Sequence, residues 1–206
     1  GVNARSVTEQ WRLARRALAS LSRLMNGPQS FMVYKQGALT SALSLMEAAP
    51  SDRAVQVAGC RVIASLVTSP HLVSHAKRSP SFASGKALLA AAAALRNHHA
   101  DATAARAAAR AMWTAVHLGG RAAQDVLVQS RLHTAVVDAM AVHPKDGSVL
   151  EAACGCLLAA ALGNEDAQGA LDAGGVRDKV RAVMQERKDS MRFGGAFVGL
   201  KDWLKA

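Results

Sequence analysis

Aromatic residues are scarce in this chain, which has only 8 among 206 residues. Alanine alone supplies 44 residues, and half of the chain is apolar. A core made of alanine rather than of rings requires elements that approach one another closely, as helices with small side chains do. The composition therefore predicts an all-α protein without strands.

Long apolar runs are also missing. The longest, at 87–95 and 152–162, are far shorter than the roughly 20 residues that a membrane-spanning helix needs. The sequence therefore predicts no membrane span.

Cysteine is rare and odd in number, with Cys60, Cys154 and Cys156 all inside predicted helices. This pattern favours buried thiols in an intracellular reducing compartment over a disulfide scaffold. The chain starts at Gly1 rather than at Met, which is compatible with removal of a targeting segment. The cytoplasm and the mitochondrial matrix both stay open as locations.

Acidic residues are fewer than basic ones, 15 against 25, and the difference is unevenly distributed. Residues 77–131 carry eight bases and two acids, whereas residues 132–176 carry one base and six acids. An excess of positive charge favours acidic partners, either protein surfaces or nucleic acid. A basic surface that is simply solvated is the alternative.

A pattern of small and apolar residues recurs along the chain. The set Ala153, Leu158 and Ala161 falls on similar residues at offsets of 45 and 95, namely Ala108, Trp113, Val116, Ala58, Ile63 and Leu66. A looser copy stands at Ala14, Leu18 and Leu21. Each copy has the spacing of an amphipathic helix, followed by a glycine-containing turn and a short helix. Repeats of roughly 46 residues are typical of helical solenoids with two or three helices per unit.

These residues resemble the armadillo repeat. The segment 148–183 carries most of its pattern, including Gly163-Asn164 and Gly174-Gly175-Val176, and Val55-Gln56-Val57-Ala58 carries the long-helix part. The resemblance implies a right-handed superhelical solenoid of about four armadillo-like helical repeats with a concave binding face. The repeats would occupy residues 10–186 of a single domain, 1–206.

The resemblance also implies what the concave face binds. Armadillo proteins that recognise nuclear-import signals use an asparagine late in each third helix, and the equivalent positions here are Ser65, Ala115 and Ala160. That use is therefore not expected, and a groove that binds acidic peptides through Lys and Arg fits somewhat better.

Five basic residues are candidate partner contacts. Arg106 and Arg110 are four residues apart, so they share a helix face and can clamp a carboxylate or phosphate, unless that face is merely solvated. Lys77 and Arg78 belong to an irregular segment, 70–81, whose two prolines predict a loop used for contact or simply tolerated. Arg121 completes the basic stretch.

Patterns of catalytic and metal sites are incomplete. Ser84-Gly85-Lys86-Ala87 is similar to the end of a phosphate-binding loop but lacks its first glycine and its Ser or Thr, so it predicts a turn. His71 and His75 have metal-ligand spacing, but no Glu stands between them and the nearby prolines predict a loop; Cys154 and Cys156 face different sides of a helix. The sequence predicts no enzyme, cofactor, metal site or small-molecule substrate.

The C-terminal segment 187–206 differs from the repeat because it holds three of the eight aromatics, Phe193, Phe197 and Trp203. Their spacing predicts an amphipathic tail helix that either caps the last repeat or docks in a partner.

Together, these features predict a non-catalytic structural or adaptor subunit of a larger multi-protein assembly, with other subunits as partners. The alternative is a basic helical module that contacts nucleic acid, such as ribosomal RNA, through residues 77–131.

Overall fold

The computed structural model describes residues 4–68 and 70–186, and all regular structure in these ranges is helical. The described residues form twelve α-helices and a 3₁₀ turn at Ser65–Val67, with no β-strand. The first six helices are α1 (Ala4–Leu24), α2 (Ser30–Lys35), α3 (Ala38–Ala48), α4 (Arg53–Ala64), α5 (Pro70–Ala76) and α6 (Pro80–Ala83). The other six are α7 (Lys86–His98), α8 (Ala102–Gln129), α9 (Leu132–Val142), α10 (Gly147–Ala161), α11 (Glu165–Ala173) and α12 (Val176–Glu186). The prediction of an all-α fold is confirmed for these ranges.

Seven of the helices are arranged in two rows. In the first row α1 packs against α4, α4 against α8, and α8 against α10. In the second row α3 contacts α7, and α7 contacts α9. The rows are joined because α3 also contacts α4, α7 contacts α8, and α9 contacts α10. Helix α8 therefore lies at the centre of the molecule and touches helices of both rows.

Alanine makes this close arrangement possible. On α8, Ala104, Ala105, Ala108 and Ala111 are each at most 3 % exposed. The distance between packed helices depends on the side chains at their contact, and a methyl group allows a short one. Among the described residues, Phe82 is the one aromatic side chain that is fully buried. Alanine is thus the commonest residue of the core, beside leucine and valine, as the composition predicts.

Aspartates start three helices of the first row. The carboxylate of Asp52 accepts the backbone N–H groups of α4, and Asp101 and Asp146 do the same for α8 and α10. An N-cap carboxylate satisfies a free N–H and interacts favourably with the positive end of the helix dipole. The beginning of each helix is therefore determined by residues next to it in sequence.

Two of these aspartates also hold the preceding helix of the row. Arg15 on α1 donates from Nε to Asp52 at 2.6 Å, and Arg53 on α4 donates from Nε and Nη2 to Asp101 at 2.8 and 3.0 Å. The Arg53 guanidinium, followed by the backbone N–H of Ala104, holds the pKa of Asp101 below its usual value. Each carboxylate thus joins a helix to its neighbour.

Residues with left-handed backbone precede the helices of the second row. Gly37, Gly85 and Arg131 have φ values of 88°, 72° and 51° and stand directly before α3, α7 and α9. Glycine adopts this conformation without strain. Gly85 belongs to the segment that is similar to a phosphate-binding loop, and the structure places it in the expected turn.

The segment 70–81 is not the loop that its prolines predict. Pro70 and Pro80 instead begin the short helices α5 and α6. Proline suits the first turn of a helix because its missing N–H has no helical partner there and its φ is already near the helical value. Leu72 and Phe82 in these helices are buried. The interpretation of the segment as an irregular loop was therefore wrong.

No single helix among the described residues has both the length and the apolar composition to cross a membrane. The pair Arg53–Val67 and Pro70–Ala76 reaches that composition only when taken together across a bend of 108°.

Candidate functional site

A groove lies where α4, α8 and α10 come together in the first row. Its volume is about 480 Å³, and its walls include Arg61 and Ser65 at the end of α4, Arg106 and Arg110 on α8, and Glu151 on α10. The groove is lined by the end of α4, the first half of α8 and the beginning of α10. The groove is a concave and partly polar surface that joins these three helices.

Residues that line the groove recur at the same distance from the aspartate caps. Arg61 on α4 and Arg110 on α8 both stand nine residues after their caps, and Arg106 on α8 and Glu151 on α10 both stand five residues after theirs. Thr103 and Ser148 form a further pair, two residues after the caps. Equivalent positions of neighbouring helices therefore face the same space.

Three arginines make the groove basic. Arg61, Arg106 and Arg110 are exposed, and none of their guanidinium groups forms an ion pair or a hydrogen bond with a described residue. By contrast, Arg121 donates from Nη2 to Asp166 at 2.7 Å and has Nε 3.7 Å from Asp125. Unpaired guanidinium groups in a concave surface are suited to bind carboxylate or phosphate groups.

Trp113 forms an apolar part of the same groove. Its indole lies against the backbone of α10 at Gly155, where an added Cβ would be 2.6 to 2.8 Å from the ring. That distance is too short for two carbon atoms, so the position of the indole requires glycine at 155. Gly155 also stands 45 residues after Arg110 and thus at the equivalent position of the next helix.

We expect Gly155→Ala to lower the free energy of unfolding by about 1 kcal/mol, because the clash with Trp113 costs more than the gain in helix propensity. Gly169→Ala on α11 is the matched control, since no atom lies within 4 Å of an added Cβ there. The control should be stabilised by up to about 1 kcal/mol. Urea unfolding followed by circular dichroism measures both. Equal stabilisation of the two variants would contradict the contact between Trp113 and Gly155.

The candidate residues from the sequence fall into different places. Arg106 and Arg110 are exposed, and both line the groove. Lys77 and Arg78 are exposed after α5, outside the groove walls, and Arg121 is held by its two carboxylates. Phe193, Phe197 and Trp203, and the predicted tail helix with them, lie outside the described residues.

Arg61 and Trp113 were missed as candidate contacts. The signal was present, because Arg61 and Arg110 each stand nine residues after the aspartate that starts their helix. That common distance predicts that the two arginines face the same side of neighbouring helices.

The three cysteines and the buried His133 do not line the groove. Cys60, Cys154 and Cys156 are free and buried, and burial raises the pKa of each thiol to about 12. Thiols with so high a pKa are poor nucleophiles at neutral pH. Burial is also the main cause that lowers the pKa of His133, whose Nδ1 has no hydrogen-bond partner. Within 4–68 and 70–186, no three His, Cys, Asp or Glu residues are grouped closely enough to hold a metal ion.

Comparison with protein-family models, with curated proteins and with solved structures found no significant match to this chain.

Proposed function

We propose that the chain is a non-catalytic protein-interaction module, acting as a structural or adaptor subunit of a larger assembly. The groove of α4, α8 and α10 binds an acidic segment of a partner subunit. The observation that carries the proposal is the set of three exposed arginines, Arg61, Arg106 and Arg110, that lack acidic partners of their own around a partly buried Trp113. Arginine and tryptophan are the residues that most often dominate the energy of protein interfaces.

We further propose that the fold is a right-handed superhelical solenoid of about four armadillo-like repeats. Three recurring features support it: groove residues at equal distances from the helix caps, the aspartate caps before α4, α8 and α10, and the left-handed residues before α3, α7 and α9. A chain of stacked units exposes the same helix of each unit along one face. The groove would then be the concave face of the solenoid.

An acidic protein segment fits the groove better than nucleic acid does. Glu151 lies in the groove wall and would repel a phosphate backbone, whereas a peptide can place a polar or basic residue there. The charge of Arg121 is balanced by Asp125 and Asp166, and Lys77 and Arg78 lie outside the groove. The basic stretch 77–131 therefore does not form one continuous cationic surface for a strand of RNA.

Binding of labelled polyglutamate, measured by fluorescence anisotropy, tests the proposal. The charge-reversed variant Arg106→Glu/Arg110→Glu is compared with Arg78→Glu/Arg96→Glu, which has the same net charge but leaves the groove intact. We expect the groove variant to weaken binding at least about tenfold, because two charge-assisted contacts become repulsive, and the control to change it little. Equal losses in the two variants would overturn the proposal.

A labelled single-stranded RNA is measured in parallel at several salt concentrations. RNA bound more tightly than polyglutamate, with an affinity that falls steeply with salt and is lost on neutralising Arg106, Arg110 and Arg121, would establish the nucleic-acid alternative instead. Weak RNA binding that both charge-reversed variants reduce equally is expected if the interaction is only non-specific.

A further inference from the structure

A second, less polar cavity opens beside the basic groove. Its volume is about 250 Å³, and it is lined by Val67, Val73, Arg110, Trp113, Thr114 and His117. Arg110 and Trp113 belong to the walls of both cavities. The two cavities are therefore neighbouring parts of one surface, with an arginine and an indole at their boundary.

The walls of this cavity come from two parts of the chain. Arg110, Trp113, Thr114 and His117 are spaced by three or four residues on α8, so they share one face of the helix. The opposite wall consists of Val67, at the end of the 3₁₀ turn, and Val73 on α5. Val67 is 39 % exposed and Val73 is partly exposed, so apolar surface remains open to solvent at this point.

We propose that the acidic segment bound by the groove carries a bulky apolar residue, of the leucine or phenylalanine kind, that inserts into this cavity. The inference rests on the proposed function and adds to it a preference of the same site for segments that contain an apolar residue. A carboxylate of the segment binds Arg110, and the apolar side chain lies between Val67, Val73 and Trp113. In an extended peptide, side chains two residues apart lie on the same face and are separated by about 7 Å. The carboxylate that binds Arg110 and the apolar side chain in the cavity can therefore stand two residues apart in the segment.

Charge argues for a partner chain as the occupant rather than the chain's own C-terminal segment. Residues 187–206 hold five bases and two acids, so they carry the same sign of charge as Arg61, Arg106 and Arg110. An occupant with the opposite charge is favoured, because like charges brought together in an interface lower affinity. A segment with acidic residues beside one apolar residue complements both cavities, since the acidic side chains bind the arginines and the apolar one fills the second cavity.

Three short labelled peptides test the inference on the full chain: glutamates around a central leucine, the same peptide with alanine at the centre, and the leucine peptide with glutamine for glutamate. We expect the leucine peptide to bind at least about tenfold more tightly than the alanine peptide, because burying a leucine side chain contributes that much. Equal binding of these two would overturn the inference while leaving the proposed function intact. A glutamine peptide that binds as well as the acidic one would overturn the proposed function itself.

Variants of the cavity locate the contact. Val67→Asn/Val73→Asn should remove the preference for leucine over alanine without weakening the alanine peptide. Leu89→Asn is the matched control, since Leu89 is a 46 % exposed apolar residue of α7 outside this cavity. A preference that persists in the double variant overturns the inference, as does tighter binding of a synthetic 187–206 peptide than of the leucine peptide. Self-association that the double variant abolishes would make a second copy the occupant and would overturn it too.

Discussion

Phe82→Ala is expected to lower the free energy of unfolding by about 3–5 kcal/mol, the usual loss for a large side chain removed from a packed core. Phe82 is 1 % exposed, and its helix α6 packs against both α7 and α8. Most buried residues of α7 and α8 are alanines, whose short side chains cannot fill the space left by the ring. A loss of this size is a large part of the total stability of a typical domain, about 5–15 kcal/mol.

Phe31→Ala is the matched control, because it removes the same ring from a partly exposed position. Phe31 contacts the His75 ring at 4.8 Å between centroids and has Lys35 Nζ 5.1 Å from its own centroid. We expect a loss of about 1 kcal/mol there. Urea unfolding of both variants measures the difference. If Phe82→Ala cost no more than Phe31→Ala, the segment 70–83 would be a peripheral loop after all, and α6 would not belong to the core.

Asn164→Leu is the second change with a large expected effect, a loss of about 2–4 kcal/mol in the free energy of unfolding. Asn164 is 0 % exposed and donates from Nδ2 to Gln124 Oε1 at 3.2 Å and to Asp125 Oδ1 at 3.0 Å. Its Oδ1 accepts the backbone N–H of Ala167 at the start of α11. Leucine has a similar size but no polar atoms, so it removes the cap and leaves buried groups without partners.

The effect of Asn164→Leu should reach the end of α10. Gln124 Nε2 donates to the carbonyl groups of Ala159 and Leu162 at 2.8 and 2.9 Å, and Asn164 helps to hold that amide in place. Hydrogen exchange of the last turn of α10 and of α11 should therefore increase more than exchange in α4. Uniform changes along the chain would contradict a local role.

Asn97→Leu provides the comparison with an exposed asparagine. Asn97 Nδ2 donates to the carbonyl of Pro50 at 3.2 Å, but the side chain lies at the surface. Water can replace this hydrogen bond, so the free energy of unfolding should change by about 0.5 kcal/mol or less. Equal losses for Asn97→Leu and Asn164→Leu would show that burial does not decide the energy of the amide network.

The helices themselves could be predicted from local sequence, and so could several of their boundaries. The glycine-containing turn expected after each long helix is a bend within α8 at Gly120, which has φ 57°, and at Gly163-Asn164 it precedes α11, with Asn164 as its cap. The error at 70–81 arose because proline is compatible with both a loop and the first turn of a helix. Burial of Leu72 and Phe82 against other helices decides between them, and that burial involves distant residues.

The candidate site depends on contacts between residues that are far apart in the sequence. The sequence placed Arg106 and Arg110 on one helix face, but it left open whether that face was solvated on the outside or turned toward neighbouring helices. Only the packing of α4 and α10 beside α8 brings Arg61 and Glu151 to the same groove and places Trp113 against Gly155. The same packing removes Arg121 from the candidate surface by pairing it with Asp166.

The sequence by itself thus determined the helical class, the small-residue core and many helix ends, because periodicity, capping and glycine turns act over a few residues. The tertiary structure alone decided which charges remain unpaired and which side chains share a cavity. Those properties depend on the offset of α4, α8 and α10 along one another, which brings residues that are far apart in the chain into one groove. Local propensity contains no information on that offset, since it is set by the packing of alanine-rich faces against each other.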